Sequence, residues 1–174
     1  EALAFAQSEP AGTRTAALVR DAAASAEGAI IEWRRLFHQY PEVSGQESHT
    51  QEMLCDELDR LGVEYRRLDN NGIIATIRGE ASGSYDAAGV PARRVALRAD
   101  IDALPVTEDT GLPFSSENEG VMHACGHDAH TAMLMGTAEV LSAMRTQLRG
   151  TVKFIFQPAE EGGGGAKAMI KDGV

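Results

Sequence analysis

The chain has little of what marks several protein classes. Two cysteines among 174 residues are too few for a disulfide scaffold. Lys and Arg number 16 against 26 Asp and Glu, and no basic run offsets the net charge of -10, so we expect no nucleic-acid partner. No apolar run reaches the length of a membrane span, so we expect no membrane association. The 43% hydrophobic content is ordinary for a globular protein, and the length suffices for one domain with a core.

The first residues of the chain admit two interpretations. Residues 1–14 have little periodicity and are interpreted as a tail. Within them, Ala4-Phe5-Ala6 before Gln7 has the small-x-small pattern of a signal-peptidase site, although a disordered Ala-rich tail explains the same residues. We expect a cytoplasmic protein, with a secreted or periplasmic location as the alternative if the tail is the end of a signal peptide.

The rest of the chain alternates between helical and strand periodicity. Helices are predicted over 15–40, up to 61, over about 129–145 and from 166 onward. Strands are predicted over 63–68, 73–78, 94–99 and 151–156. This interleaving is typical of a layered α/β domain, in which reactive groups lie just beyond the carboxyl ends of strands. A stripe of small residues on the third helix is expected to pack on the sheet: Ala129, Ala132, Gly136, Val140 and Ala143.

Residues 123–130, His-Ala-Cys-Gly-His-Asp-Ala-His, indicate a metal site. The spacing of Cys125 and His127 places both side chains together on an extended or tightly turned segment, and Gly126 lets the backbone approach an ion. Asp128 is expected to cap the following helix. Two alternatives stay open: a reduced buried cysteine beside hydrogen-bonding histidines, and a Cys125 nucleophile with His127 or His130 as base.

The remaining cysteine and histidines are expected to have supporting roles. Cys55 lies in the second predicted helix and is interpreted as a small packing residue, although a Cys55–Cys125 disulfide stays open. His38 and His123 lie near the ends of predicted elements. We expect them to form hydrogen bonds that support the site rather than to bind metal directly.

Two acidic pairs follow predicted strands. Asp100 and Asp102 leave the third strand on the same side if the chain stays extended. Glu160 and Glu161 are adjacent, so on an extended chain they point to opposite sides, one toward a cation and the other toward water and substrate. Residues 162–165 are all glycine but lack the Gly-Lys-Ser/Thr ending of a phosphate loop, so we expect a loop that passes close to the site.

Four segments together resemble the M20 metallopeptidase family, and specifically its amidohydrolase branch, which includes hippurate hydrolases, N-acetyl-diaminopimelate deacetylases and auxin-conjugate hydrolases. They occur in the family's order and span roughly residues 30–174. The four segments are Phe37-His-Gln-Tyr-Pro-Glu42, Ala96-Leu-Arg-Ala-Asp-Ile-Asp-Ala-Leu-Pro105, His123-Ala-Cys-Gly-His-Asp-Ala-His130 and Gln157-Pro-Ala-Glu-Glu-Gly-Gly-Gly-Gly165.

The resemblance implies a role for each matching residue. Cys125, His127 and Glu161 are implied as metal ligands, with the Cys125 sulfur bridging two ions. Glu160 is implied as the general base, and Asp102 as the aspartate that tunes the metal site. Asp100 stands where many other members have a histidine ligand, as in the amidohydrolase branch, and the resemblance does not assign it as a ligand.

The resemblance also implies the organisation and the reaction. Residues 15–174 correspond to the first part of an α/β/α catalytic domain of the zinc-peptidase type. Family members are longer and add a lid or dimerisation domain, which implies a homodimer and further histidine ligands. The implied reaction is hydrolysis of N-acyl amino acids at two divalent ions, zinc or manganese first, cobalt or nickel as alternatives. The competing hypotheses are a cysteine-nucleophile hydrolase and a non-catalytic metal-binding fragment.

Overall fold

The computed structural model describes residues 11–174, and the side chains from residue 14 onward. Four helices and four strands alternate in this part of the chain: α1 (Ala11–Gln39), α2 (Ser48–Arg60), β1 (Glu64–Arg67), β2 (Ile73–Arg78), β3 (Arg94–Asp100), α3 (His127–Ala143), β4 (Thr151–Gln157) and α4 (Gly165–Lys171).

Each predicted helix and strand is present; β2 has the predicted bounds, and the other elements have shifted ends. Helix α1 begins at Ala11, so residues 11–14, which were assigned to the tail, are helical. The Ala4–Ala6 pattern lies outside the described residues. Helix α3 begins at His127, two residues earlier than predicted, which places a predicted metal ligand in its first turn. No helix among residues 11–174 is long and apolar enough to cross a membrane.

The strands form one mixed sheet in the order β1-β2-β4-β3. Strands β3 and β4 are parallel, whereas β1 pairs with β2, and β2 with β4, in the antiparallel sense. Asp100 at the end of β3 pairs in register with Gln157 at the end of β4. The acidic residues that follow these two strands therefore leave the sheet at the same edge.

Helices cover both faces of the sheet, which confirms the α/β class. The larger core joins α1, α2 and α3 to one face through Trp33, Leu54, Met135, Ile77 and Phe154. The smaller core joins α4 to the other face through Met169, Ile74 and Leu68. Alternation along β2 and β4 produces this division, since neighbouring residues of a strand point to opposite faces.

One member of the stripe of small residues on α3, Gly136, faces α1 rather than the sheet. A Cβ atom at Gly136 would lie 2.4 Å from the side chain of Ile30 on α1. Four buried residues of α3 lie in the larger core, and only the first belongs to the stripe: Ala132, Leu134, Met135 and Ala138. The expectation that the stripe packs on the sheet is therefore wrong for Gly136, and the small residue permits close contact between two helices instead.

The two cysteines differ in their environment. Cys55 is 3% exposed and lies in the larger core, which confirms the packing interpretation. Cys125 is exposed, and both thiols are free. The alternative of a Cys55–Cys125 disulfide is therefore wrong, and the Cys125 thiol is available as a ligand.

Candidate metal centre

The sheet edge and the start of α3 bring three predicted ligands together. One ligand atom from each of Cys125, His127 and Glu161 lies within 4.8 Å of the others. Glu161 follows β4, and Cys125 and His127 flank the point where α3 begins. A thiol, an imidazole and a carboxylate from distant parts of the chain thus converge, as the sequence predicts.

Gly126 makes the turn between the first two ligands. Its φ of 85° lies in the left-handed region, which other residues rarely adopt. Gly126 is also the N-cap residue of α3, so the prediction that Asp128 caps this helix is wrong. Asp128 lies in the first turn, where Oδ1 accepts a hydrogen bond from the Ala129 amide at 2.8 Å.

A hydrogen bond to the backbone fixes the orientation of the His127 ring. Its Nδ1 donates to the carbonyl oxygen of Asp102 at 2.9 Å. Because a carbonyl only accepts, the proton is on Nδ1 and the lone pair is on Nε2. The ring is 3% exposed, and its face stacks on His130 with 5.4 Å between ring centroids. His127 is therefore held in the tautomer that binds a metal through Nε2.

Glu160 and Glu161 point toward the same place. The Oε2 atom of Glu160 and the Oε1 atom of Glu161 each lie 4.0 Å from His127 Nε2. The expectation of opposite directions is wrong because the chain turns sharply after β4, where Ala159 has a φ of 49°. The Glu160 side chain is 42% exposed and that of Glu161 is 22% exposed, so Glu160 is the more accessible to a substrate.

Asp102 is a buried residue that connects Ser44, Glu161 and His127. It is 1% exposed, and its Oδ2 atom accepts from the Ser44 hydroxyl at 2.6 Å and from the Glu161 amide at 2.9 Å. Its Oδ1 atom is buried, has no hydrogen-bond partner among residues 11–174 and lies 3.3 Å from His127 Nδ1. A buried carboxylate with spare acceptor capacity beside a histidine that is predicted to bind metal suits a site that also holds a cation.

Asp100 lies at the margin of the centre. Ligand atoms of Asp100, His127 and His130 also lie within 4.8 Å of one another. The Asp100 carboxylate is already paired with Arg98, at 2.5 Å. This ion pair competes with any cation for Asp100, so the structure favours Cys125 and Glu161 as the partners of His127.

The charges around Cys125 act against a free thiolate. Its hydrogen bond to Glu161 and the negative charges of Glu161 and Glu160 raise the pKa of the Cys125 thiol. A nucleophilic cysteine needs the opposite shift, from a cation or a helix N-terminus. A divalent ion between these groups would supply that positive charge and deprotonate the thiol. The donor set of sulfur, nitrogen and oxygen therefore fits a metal ion.

A buried polar chain supports the first turn of α3. His38 Nδ1 lies 2.7 Å from Asp128 Oδ2, and His38 Nε2 lies 3.2 Å from Glu108 Oε1. Arg34 Nε also contacts Asp128 Oδ2, at 2.9 Å. The hydrogen-bonding role expected for His38 is confirmed. His123 differs, because both ring nitrogens are buried without a hydrogen-bond partner among the described residues and burial lowers its pKa to about 4.

Three residues of the site have no clear signal in the sequence. Ser44 and Glu47 lie between the first two predicted helices, and Glu108 lies between the third predicted strand and the third predicted helix, where no functional motif is predicted. Ser44 reaches Asp102 because Val43 pairs with Ala103 in an isolated parallel bridge. Such pairing between distant segments is a tertiary property that periodicity does not reveal.

Residues 96–174 match the sequence profile of peptidase family M20/M25/M40. The chain belongs to this family. This M20 chain is 48% identical over 147 residues to thermostable carboxypeptidase 1 of Saccharolobus solfataricus, and 44% identical over 147 residues to the N-acyl-L-amino acid amidohydrolase of Geobacillus stearothermophilus. The alignments cover 83% of this chain in both cases, and 36% and 37% of the two relatives respectively.

Comparison with a solved structure supports the same family. The YXEP protein of Bacillus subtilis, described as a dinuclear metal binding peptidase from the M20 family, is 43% identical with a TM-score of 0.75. That comparison covers 84% of this chain and 39% of the YXEP chain. The M20 chain thus spans about a third of the length of the curated relatives that it matches.

Proposed function

We propose that the whole protein is a metal-dependent hydrolase of the amide bond of N-acyl amino acids. Its products would be a carboxylic acid and a free amino acid. The observation that carries the proposal is the convergence of Cys125, His127 and Glu161, with the accessible Glu160 carboxylate beside them. Relatives named as an N-acyl-L-amino acid amidohydrolase and an N-acetyl-L-cysteine deacetylase support this substrate class.

Cys125, His127 and Glu161 would hold the metal. The similarity to a dinuclear metal-binding peptidase supports two divalent ions per site, for which zinc or manganese is our first expectation and cobalt or nickel an alternative. When bound, such ions lower the pKa of a water molecule and polarise the scissile carbonyl. Residues 15–174 would form the first part of the catalytic domain that carries them.

Glu160 would move the proton. In our proposal its carboxylate accepts a proton from the attacking water and then donates it to the departing amine. Its 42% exposure suits contact with water and substrate, whereas the less exposed Glu161 suits a ligand. Asp102 is buried, and would act by holding the His127 ring and the Glu161 amide through hydrogen bonds.

Chelation tests this proposal against the cysteine-nucleophile alternative, which the exposed Cys125 thiol favours. We expect activity of the whole protein to fall to background after exhaustive chelation and to return with zinc or manganese. Bound metal should also slow alkylation of Cys125 by iodoacetamide. An enzyme that keeps its rate after chelation but loses it on alkylation would be a thiol hydrolase.

A further inference from the structure

The segment that carries the two glutamates is fixed by side chains from elsewhere in the chain. The Ala159 amide donates to Glu47 Oε1 at 2.8 Å, and the Glu161 amide donates to Asp102 Oδ2 at 2.9 Å. The Gly162 amide donates to Ser44 Oγ at 2.6 Å. A loop would ordinarily satisfy these amides with water, which would leave its side chains free to reorient.

Ser44 connects this segment to the buried carboxylate beneath it. Its hydroxyl donates to Asp102 Oδ2 at 2.6 Å while accepting from the Gly162 amide, so one oxygen joins two parts of the centre. The approach is close, because a Cβ atom at Gly162 would lie 2.5 Å from Ser44 Cβ. The absence of a side chain at Gly162 therefore permits the contact.

Glu47 fixes the other end of the segment. It is 0% exposed, and its second oxygen accepts from Asn71 Nδ2 at 3.2 Å. Its bond to Ala159 lies at the residue with a positive φ of 49°, a conformation that costs free energy for a residue with a side chain. A charge-assisted hydrogen bond at that position helps to offset the cost.

We propose that Ser44 and Glu47 are positioning residues that turn Glu160 and Glu161 toward His127. Adjacent side chains on an extended chain point apart, yet both carboxylates lie 4.0 Å from His127 Nε2. The turned conformation depends on anchors on both sides of the pair, and the segment between α1 and α2 supplies them. This inference rests on the proposed function, since it assigns these two residues to the same metal centre.

The proposal is tested in the whole protein with Ser44→Ala, Ser44→Thr and a matched control. Ser142→Ala is the control because the Ser142 hydroxyl also donates a hydrogen bond, to the carbonyl oxygen of Leu61, but is not bonded to the Ala159–Gly162 segment. Zinc affinity is measured by competition with a chromophoric chelator. We expect Ser44→Ala to weaken zinc binding by about 10- to 100-fold and to lower kcat more than it raises KM, because the ligand and the base both move. Ser44→Thr should restore most of the loss, and Ser142→Ala should match wild type.

Glu47 gives an independent variant pair. Glu47→Gln keeps an acceptor for the Ala159 amide, so it should retain zinc affinity better than Glu47→Ala. Wild-type zinc affinity and kcat in folded Ser44→Ala and Glu47→Ala would overturn the proposal. A wild-type protein that neither binds zinc nor hydrolyses N-acyl amino acids would instead overturn the proposed function, so the two failures are distinguishable.

Discussion

At the scale of single residues, the His127 ring organises the centre. The Asp102 carbonyl oxygen holds the Nδ1 proton of His127, and Nε2 lies 4.0 Å from a carboxylate oxygen of Glu160 and from one of Glu161. The residue types at this centre could be predicted from the sequence, because a thiol, imidazoles and paired carboxylates at close spacing are uncommon. The directions of Glu160 and Glu161 could not, because the turn at Ala159 depends on Glu47 and Ser44 from a distant segment.

Removing the sulfur should reduce metal binding. Cys125→Ser replaces a thiol that a metal deprotonates with a hydroxyl that stays protonated, so we expect less bound metal per chain. Elemental analysis after gel filtration measures the stoichiometry. Cys55→Ala is the control, because Cys55 lies in the core and should leave the metal content unchanged. Equal metal content in Cys125→Ser and wild type would contradict the ligand role.

Glu108 should make folding stability depend on acid pH. Burial disfavours its charge, but hydrogen bonds from the Ser116 amide, the Thr110 hydroxyl and His38 outweigh burial and lower its pKa from 4.5 to about 2. A depressed carboxyl pKa contributes stability above the unfolded-state value that is lost as the pH falls through the folded-state value. Glu108→Gln should therefore flatten the fall in unfolding free energy between pH 4.5 and about 2. Urea titrations at several pH values across that range measure the unfolding free energy. If its dependence on pH is the same in Glu108→Gln and wild type, Glu108 is not the group responsible.

At the scale of elements, the period of the sequence predicts the secondary structure, but not every packing partner. The fold class and all the described strands follow from the change between helical and strand periods. The sequence does not predict which element packs against the small residues of α3, because a small residue permits close approach to a helix or a sheet equally well. Gly136 beside Ile30 shows that a helix is the partner here.

Contact between α1 and α3 can be measured with a double-mutant cycle. Gly136→Ala improves helix propensity but places a methyl group 2.4 Å from Ile30, so we expect a net destabilisation of about 1–3 kcal/mol. Ile30→Ala should also destabilise the protein through lost packing. The double variant should be more stable than the sum of the two effects predicts, since the shortened side chain makes room. Strict additivity of the unfolding free energies would show that the two positions do not touch.

At the scale of the whole molecule, the proposed metal ligands among the described residues are Cys125, His127 and Glu161. Two ions that prefer tetrahedral coordination would each need about four ligands. We therefore expect residues 1–174 expressed alone to bind zinc more weakly than the whole protein and to hydrolyse little substrate. Parallel zinc titrations and rate measurements on both proteins check this, and full activity from residues 1–174 alone would contradict it.

The most direct test of the account compares Glu160→Gln with Glu161→Gln in the whole protein. The two substitutions are chemically identical and adjacent, and both side chains lie 4.0 Å from His127 Nε2. If Glu160 is the base and Glu161 a ligand, Glu160→Gln should lower kcat for an N-acyl amino acid by about 100-fold or more with near-normal metal content. Glu161→Gln should lower the metal content itself. Wild-type turnover in metal-loaded Glu160→Gln would contradict the account.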